Sequence, residues 1–229
     1  MARMRRRVRA VLMQVYRPFA LRTIARDRTS RFDGLRFAVP TGVFHPGLFF
    51  STGVLARAVG DLGLAGSTFL DVGCGTGALS LVAARAGATV TAIDVNPLAV
   101  ETTRSNAERN SLTVEALESD LFDALGDRRF DVVAVNPPFY RRDPSTVAER
   151  AWLAGEDLGY FDRFFADLGA HVGESGDVLM VLSEDCDLTA IGAAGERHGW
   201  RLDLRRRRTV WLEEVSVYAV IRAETEVGP

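Results

Sequence analysis

The sequence predicts an open, doubly wound α/β sheet, and three observations carry that expectation. A short apolar run, Thr68-Phe69-Leu70-Asp71-Val72, leads into glycines at 73, 75 and 77 and then into the helical composition of Ala78–Arg85. A strand, a glycine turn and a helix in that order make the first half of a doubly wound unit. Further apolar runs follow, separated by segments of helical character, as interleaved strands and helices require. The 229 residues, 47% of them hydrophobic, suffice for one good core and are typical of a single α/β domain.

Along the chain, a basic helix is expected over about 2–26, followed by a loop or hairpin around Phe32–Phe44 and a helix over Leu48–Val59. Strands are expected near 68–72, 89–94, 114–118, 130–135, 177–182, 201–206 and 214–222. The central ones are short and nearly continuous in apolar residues, as strands covered on both faces are. Helices are expected near 78–86, 97–110, 160–171 and 187–198, the second opened by Asn96-Pro97, a cap followed by proline at the first helical position. The resulting division is an Arg-rich arm and lead-in over 1–45, a core domain over 46–223 and a tail over 224–229.

The glycine loop, Gly73-Cys74-Gly75-Thr76-Gly77, lets a ligand approach the backbone closely. Two details separate it from a dinucleotide loop. The spacing is G-x-G-x-G, not G-x-G-x-x-G, and Asp71 precedes it, where a pyrophosphate would not favour a carboxylate. Asp71 can accept hydrogen bonds from a ligand or from loop amides. Asp94 ends the next strand about twenty residues on, where an acid can accept both hydroxyls of a ribose. The same Asp94 can also serve the start of the helix opened by Val95-Asn96-Pro97.

A second motif, Asn136-Pro137-Pro138-Phe139, follows the strand Phe130–Val135. Carboxyl ends of strands are where open α/β sheets bind ligands. Two prolines stiffen the loop. The Asn136 carbonyl oxygen and a proline backbone carbonyl can together accept both hydrogens of one NH2 group. Phe139 offers a face for a flat amide or base. Such a clamp orients a nitrogen without needing a strong base.

On these residues the chain resembles the class I S-adenosylmethionine-dependent methyltransferases, from about Phe44 to Arg222. The resemblance implies a Rossmann-like seven-stranded sheet, mostly parallel with an antiparallel last strand and helices on both faces. It implies S-adenosylmethionine as cofactor, held by Asp71, Gly73, Cys74, Gly75 and Gly77, by Asp94 and Val95, and by Asp120 and Leu121 beside the adenine. Asp120 also reads as a capping acid in a solvated loop. Asn136 would touch both cofactor and acceptor, with Pro137 and Phe139 completing the catalytic clamp and Pro138, Tyr140 and Trp152 on the acceptor side. Phe44, Phe49 or Thr52 would reach over the cofactor or staple the N-terminal arm.

Within that superfamily, Asn-Pro-Pro-Phe resembles the signature of amino methyltransferases, which act on base amines or on the glutamine side-chain amide. Arg150–Phe161 is similar to the segment after this motif in the release-factor glutamine methyltransferases of the HemK/PrmC type. There Gly155, Asp157 and Gly159 match approximately, while Ala154 and Leu158 replace expected residues. Glu213–Tyr218 resembles the last strand of the short members of that family. Those members lack the bacterial N-terminal helical domain and rely on a small zinc-binding partner subunit. The implied reaction is N-methylation of a planar NH2, with a protein glutamine as leading acceptor and a nucleic-acid base or small metabolite as alternatives.

Charge is unevenly distributed. All 28 basic residues are Arg, and residues 1–36 hold eleven of them against Asp27 and Asp33, a net of +9. The remainder carries 17 Arg and 28 acids, a net of −11. The arm suits nucleic-acid phosphates, an acidic partner, or a solvated helix packed on the core. Arg205–Arg208 is a second basic run, expected to end a strand. The apolar stretch Ala10–Tyr16 is too short and polar for a secretory or membrane segment. Cys74 and Cys186 make no disulfide framework, and His45, His171 and His198 lack metal-ligand spacing. A reduced, cytoplasmic, metal-free enzyme is expected.

Overall fold

Asp33 and Gly34 both adopt positive φ, 49° and 78°, and turn the chain between β1 (Arg28–Phe32) and β2 (Leu35–Val39). Asp-Gly is suited to such a two-residue hairpin turn. The computed structural model describes residues 28–43, 50–210 and 213–223. The expected basic helix over 2–26, together with Phe44 and Phe49, lies outside them.

The main sheet holds β3 (Thr68–Val72), β4 (Thr89–Asp94), β5 (Glu115–Glu118), β6 (Phe130–Val135), β7 (Val172–Ser183), β8 (Trp200–Val210) and β9 (Glu213–Arg222). Their spatial order is β5-β4-β3-β6-β7-β9-β8. The neighbours from β5 to β7 pair in parallel, and β9 runs antiparallel to both β7 and β8, between which it lies. The antiparallel last strand inferred from the sequence is thus an interior one. Helices α1 (Phe50–Gly60), α2 (Ala78–Arg85), α3 (Pro97–Arg109), α4 (Gly159–His171) and α5 (Leu188–Arg197) complete the fold.

Successive side chains of a strand point to opposite faces, and the core divides accordingly. Phe69, Val132, Ala134 and Val217 pack with α1, α2 and the hairpin, through Leu55, Val59, Leu81 and Phe37. Leu70, Val133, Val135 and Met180 pack on the other face with α4 and α5, through Phe161, Phe164, Leu168 and Ile191. Both faces are covered, which explains why the central strands read as apolar runs. The order of strands reverses at β3, which has β4 on one side and β6 on the other. That reversal opens a crevice at the carboxyl ends of the strands.

One expectation is corrected. Arg205–Arg208 does not end its strand; β8 continues to Val210, with a register shift between Leu204 and Arg206. Pairing with β9 overrides the weak strand preference of four arginines. Three of the four charges find acids: Arg205 meets Asp203 at 3.5 Å, Arg207 meets Glu214 at 3.3 Å, and Arg206 pairs with Asp61.

Candidate active site

The glycine loop folds back onto the end of β4. The amides of Gly73 and Cys74 both donate to the Ile93 carbonyl, at 2.9 and 3.0 Å, and the Gly77 amide donates to the Cys74 carbonyl at 2.8 Å. Gly73, Gly75 and Gly77 have φ of 75°, 56° and 79°, the left-handed region glycine enters without steric cost. Gly77 is constrained twice, because a Cβ there would lie 2.9 Å from Thr103 Cγ2. At Gly73 an added Cβ would meet nothing within 4 Å, leaving bare backbone beside a cavity.

Asp71 is buried, and its Oδ2 accepts from the Ser80 amide at 3.0 Å and the Ser80 hydroxyl at 2.5 Å. The acid before the loop thus tethers the first turn of α2 to β3. Burial raises its carboxyl to about 6, opposed by the Ser80 bonds. Asp94 Oδ2 accepts from the Gly75 amide and Oδ1 from the Asn96 amide, both at 2.9 Å. Burial raises this carboxyl as well. The cap of α3 is Asn96, which accepts from the Leu98 amide. Each carboxylate oxygen of Asp94 keeps a further lone pair for a ligand.

Asp120 follows β5 and is held by two cations, Arg150 at 3.0 Å and Arg163 at 3.2 Å. Asn136 stands at the end of β6. Its Nδ2 donates to Ser51 Oγ at 3.2 Å and to Thr52 Oγ1 at 3.3 Å, both on the first turn of α1. Pro137 and Pro138 are buried. The Phe139 and Tyr140 amides both donate to the Trp152 carbonyl, at 3.2 and 3.0 Å, and the Ala154 amide returns to the Tyr140 carbonyl at 3.0 Å. A short ladder therefore clips the stretch after the motif to residues 152–154.

These groups surround one cavity of about 750 Å³. Its wall includes Asp71, Gly73, Cys74 and Gly75 from the loop, Asp94 and Val95 from β4, Asp120 and Leu121, and Asn136 with Pro138. Gly77, Pro137, Phe139, Tyr140 and Trp152 are not on that wall. Phe139 is half-buried, packed on the α4 side of the core with its ring 4.7 Å from that of Tyr140.

The sequence reading did not assign Thr76, Asn96, Ser119, Tyr160 or Arg163 to the site, and all of them line the cavity. Tyr160 is the most telling: burial, with Asp94 and Asp120 nearby, pushes its hydroxyl well above the usual phenol range. Nothing local in the sequence marks it, since its place follows from how α4 meets the sheet. Leu158, where the sequence departs from the release-factor pattern, has φ 62° and is buried in the core. It keeps the glycine-like backbone with a bulky side chain.

A bare glycine backbone, a fixed carboxylate with free lone pairs and a cavity of this size fit the amino-acid, ribose and base portions of S-adenosylmethionine. Comparison with known proteins agrees. Residues 34–191 match the family model described as Methyltransferase small domain. A Methanocaldococcus jannaschii protein named as a candidate protein N5-glutamine methyltransferase is 29% identical over 65% of this chain and 78% of its own length. A Geobacter sulfurreducens release factor glutamine methyltransferase is 33% identical over 48% of this chain and 39% of its own. The chain spans about half or less of most other curated relatives it matches, several named ribosomal protein L11 methyltransferase. Among solved structures, the T. thermophilus 16S rRNA N2 methyltransferase in complex with AdoMet and guanosine superposes with a TM-score of 0.64. It is 24% identical and covers 85% of this chain and 50% of that one. The chain belongs to the methyltransferase small domain family and is an S-adenosylmethionine-dependent methyltransferase domain.

Proposed function

We propose that the protein methylates the side-chain amide nitrogen of a glutamine in a protein substrate. The observation that carries this reading is the fixed amide of Asn136 at the end of β6. With Nδ2 committed to Ser51 and Thr52, Oδ1 is the atom left to receive a hydrogen from an acceptor NH2. The names of two relatives, both glutamine methyltransferases, support the amide over other planar nitrogens.

In this reading Asn136 Oδ1 and the Pro137 carbonyl accept the two hydrogens of the acceptor amide and fix its orientation. Phe139 and Tyr140, which follow Pro138 of the cavity wall without lining it themselves, supply the aromatic side of its approach. An amide nitrogen is a weak nucleophile because its lone pair is delocalised. Holding it in one geometry is the contribution these residues make, and such positioning can supply several kcal/mol of barrier reduction. Asp94 holds the ribose, the glycine loop holds the methionine portion, and Ser119–Leu121 lie against the base. The cofactor, when bound, supplies an electrophilic methyl on a sulfonium.

A second reading is methylation of an exocyclic base amine, favoured by the net charge of +9 in residues 1–36. Methyl-labelled S-adenosylmethionine, the purified protein and cell extract separate the readings, with an Asn136→Ala control. Protease-sensitive label in the macromolecular fraction supports the glutamine reading. Nuclease-sensitive label replaces it with the base amine, and label only in small molecules overturns both.

A further inference from the structure

Away from the active-site cavity, Arg31 of β1, Arg36 of β2 and Arg109 at the end of α3 line a second concavity of about 430 Å³, with Thr29, Ser30 and Phe37. Three guanidiniums and two hydroxyls make a lining rich in donors, and among the described residues no carboxylate belongs to it. Among the described residues, no acid pairs with any of the three arginines; the Arg36 guanidinium reaches only the Arg109 carbonyl, at 3.4 Å. Arg31 and Arg36 are direct partners across the antiparallel hairpin. Like charges placed so are destabilising in the absence of a counter-charge.

The platform beneath is fixed. Asn110 Oδ1 accepts from the Arg36 amide at 2.9 Å, and its Nδ2 donates to the Arg36 carbonyl at 2.7 Å. Asn106 treats Ala38 in the same way, at 2.7 and 2.9 Å. Asn106 lies on α3 and Asn110 caps its C-terminus, so the hairpin backbone is tied to that helix and is not free to separate the arginines. The charge is also segregated, since residues 1–36 carry +9 and the rest of the chain −11.

We propose that this concavity binds a backbone phosphate of an RNA strand, with Arg31, Arg36 and Arg109 as its ligands. Guanidinium forks match phosphate oxygens bidentately. Among the described residues the only apolar side chain in the lining, Phe37, is 1% exposed, so they offer no apolar seat for a peptide side chain. The charge runs on in sequence through eight further arginines before Arg28, which suits a polyanion of regular spacing better than one acidic side chain. This surface is independent of the methyl acceptor's identity.

The test is fluorescence anisotropy of a labelled RNA oligonucleotide with the full chain, across a salt series, for the wild type and Arg31→Glu. The substitution places opposite charges across the hairpin, so melting temperature should hold or rise. RNA affinity should nevertheless fall about tenfold, with a shallower salt dependence. Combined Arg31→Lys, Arg36→Lys and Arg109→Lys keeps the charge but loses the forks, so affinity should fall while the salt slope is retained. Unchanged RNA affinity and salt slope in Arg31→Glu would overturn the proposal. So would equally tight, equally Arg31-dependent binding of polyglutamate, which would make the surface a site for acidic protein.

Discussion

The side-chain amide of Asn136, just past β6, donates to the Ser51 hydroxyl of α1 at 3.2 Å, across 85 positions of sequence. The side chain expected to grip the acceptor is therefore oriented by a helix that precedes the sheet. If its role is to position the acceptor, Asn136→Ala should lower turnover about a hundredfold or more. Affinity for S-adenosylmethionine, read by calorimetry, should stay within a fewfold. A large loss of that affinity would show that Asn136 acts mainly on the cofactor.

Asp94 should behave in the opposite way. Asp94→Ala removes the acceptor for the Gly75 and Asn96 amides as well as the ribose partner. Hydrogen bonds to a charged group contribute roughly 1.5–3 kcal/mol, so affinity for the cofactor should fall on the order of ten- to a hundredfold. Unchanged affinity would refute the ribose assignment.

Leu158 lets strain and burial be separated. In ordinary positions Gly is less stable than Ala by roughly 0.5–1 kcal/mol. At φ 62° the left-handed backbone costs a residue with a Cβ about 1–2 kcal/mol. Both Leu158→Ala and Leu158→Gly lose packing in the core, so both should destabilise in urea unfolding. Leu158→Gly should be no worse than Leu158→Ala; the ordinary order would show that the strain is relieved in solution.

Asp71 should imprint a pH dependence on stability. Its folded carboxyl is raised from 3.8 to about 6. Below 3.8 both folded and unfolded chains hold the proton, and the stabilisation from the neutral form is complete. As pH rises the unfolded chain ionises first, and that contribution is lost progressively through about 6. The full effect is on the order of 3 kcal/mol. Asp71→Asn keeps an acceptor for Ser80, so the wild-type minus variant difference in unfolding free energy should decline between pH 4 and pH 6. A flat difference would mean that water reaches the carboxyl.

Much of this was legible in the sequence, for identifiable reasons. The strand–glycine–helix unit is local, so Thr68–Arg85 could be read from its own residues. Asn136-Pro137-Pro138-Phe139 could be placed because the apolar run before it could only be a buried strand. Contacts set by tertiary approach were not readable. Nothing near Ser51 says that it meets Asn136, and nothing near Asp120 says that Arg150 and Arg163 close on it. Arg205–Arg208 read as a strand end because four charges look like surface. Their strand is fixed by β9, whose pairing is not written in residues 205–208.

The position of β9 also sets an order of assembly. Strand β8 leaves the ribosome first, yet its neighbour in the sheet is β9, which also covers the free side of β7. During synthesis β7, with its apolar Val178–Leu182 stretch, stands as an open edge until residues 213–222 emerge. A nascent chain stalled before Glu213 would thus expose a pairing edge beside a largely built cofactor loop, a species open to aggregation and to chaperone capture.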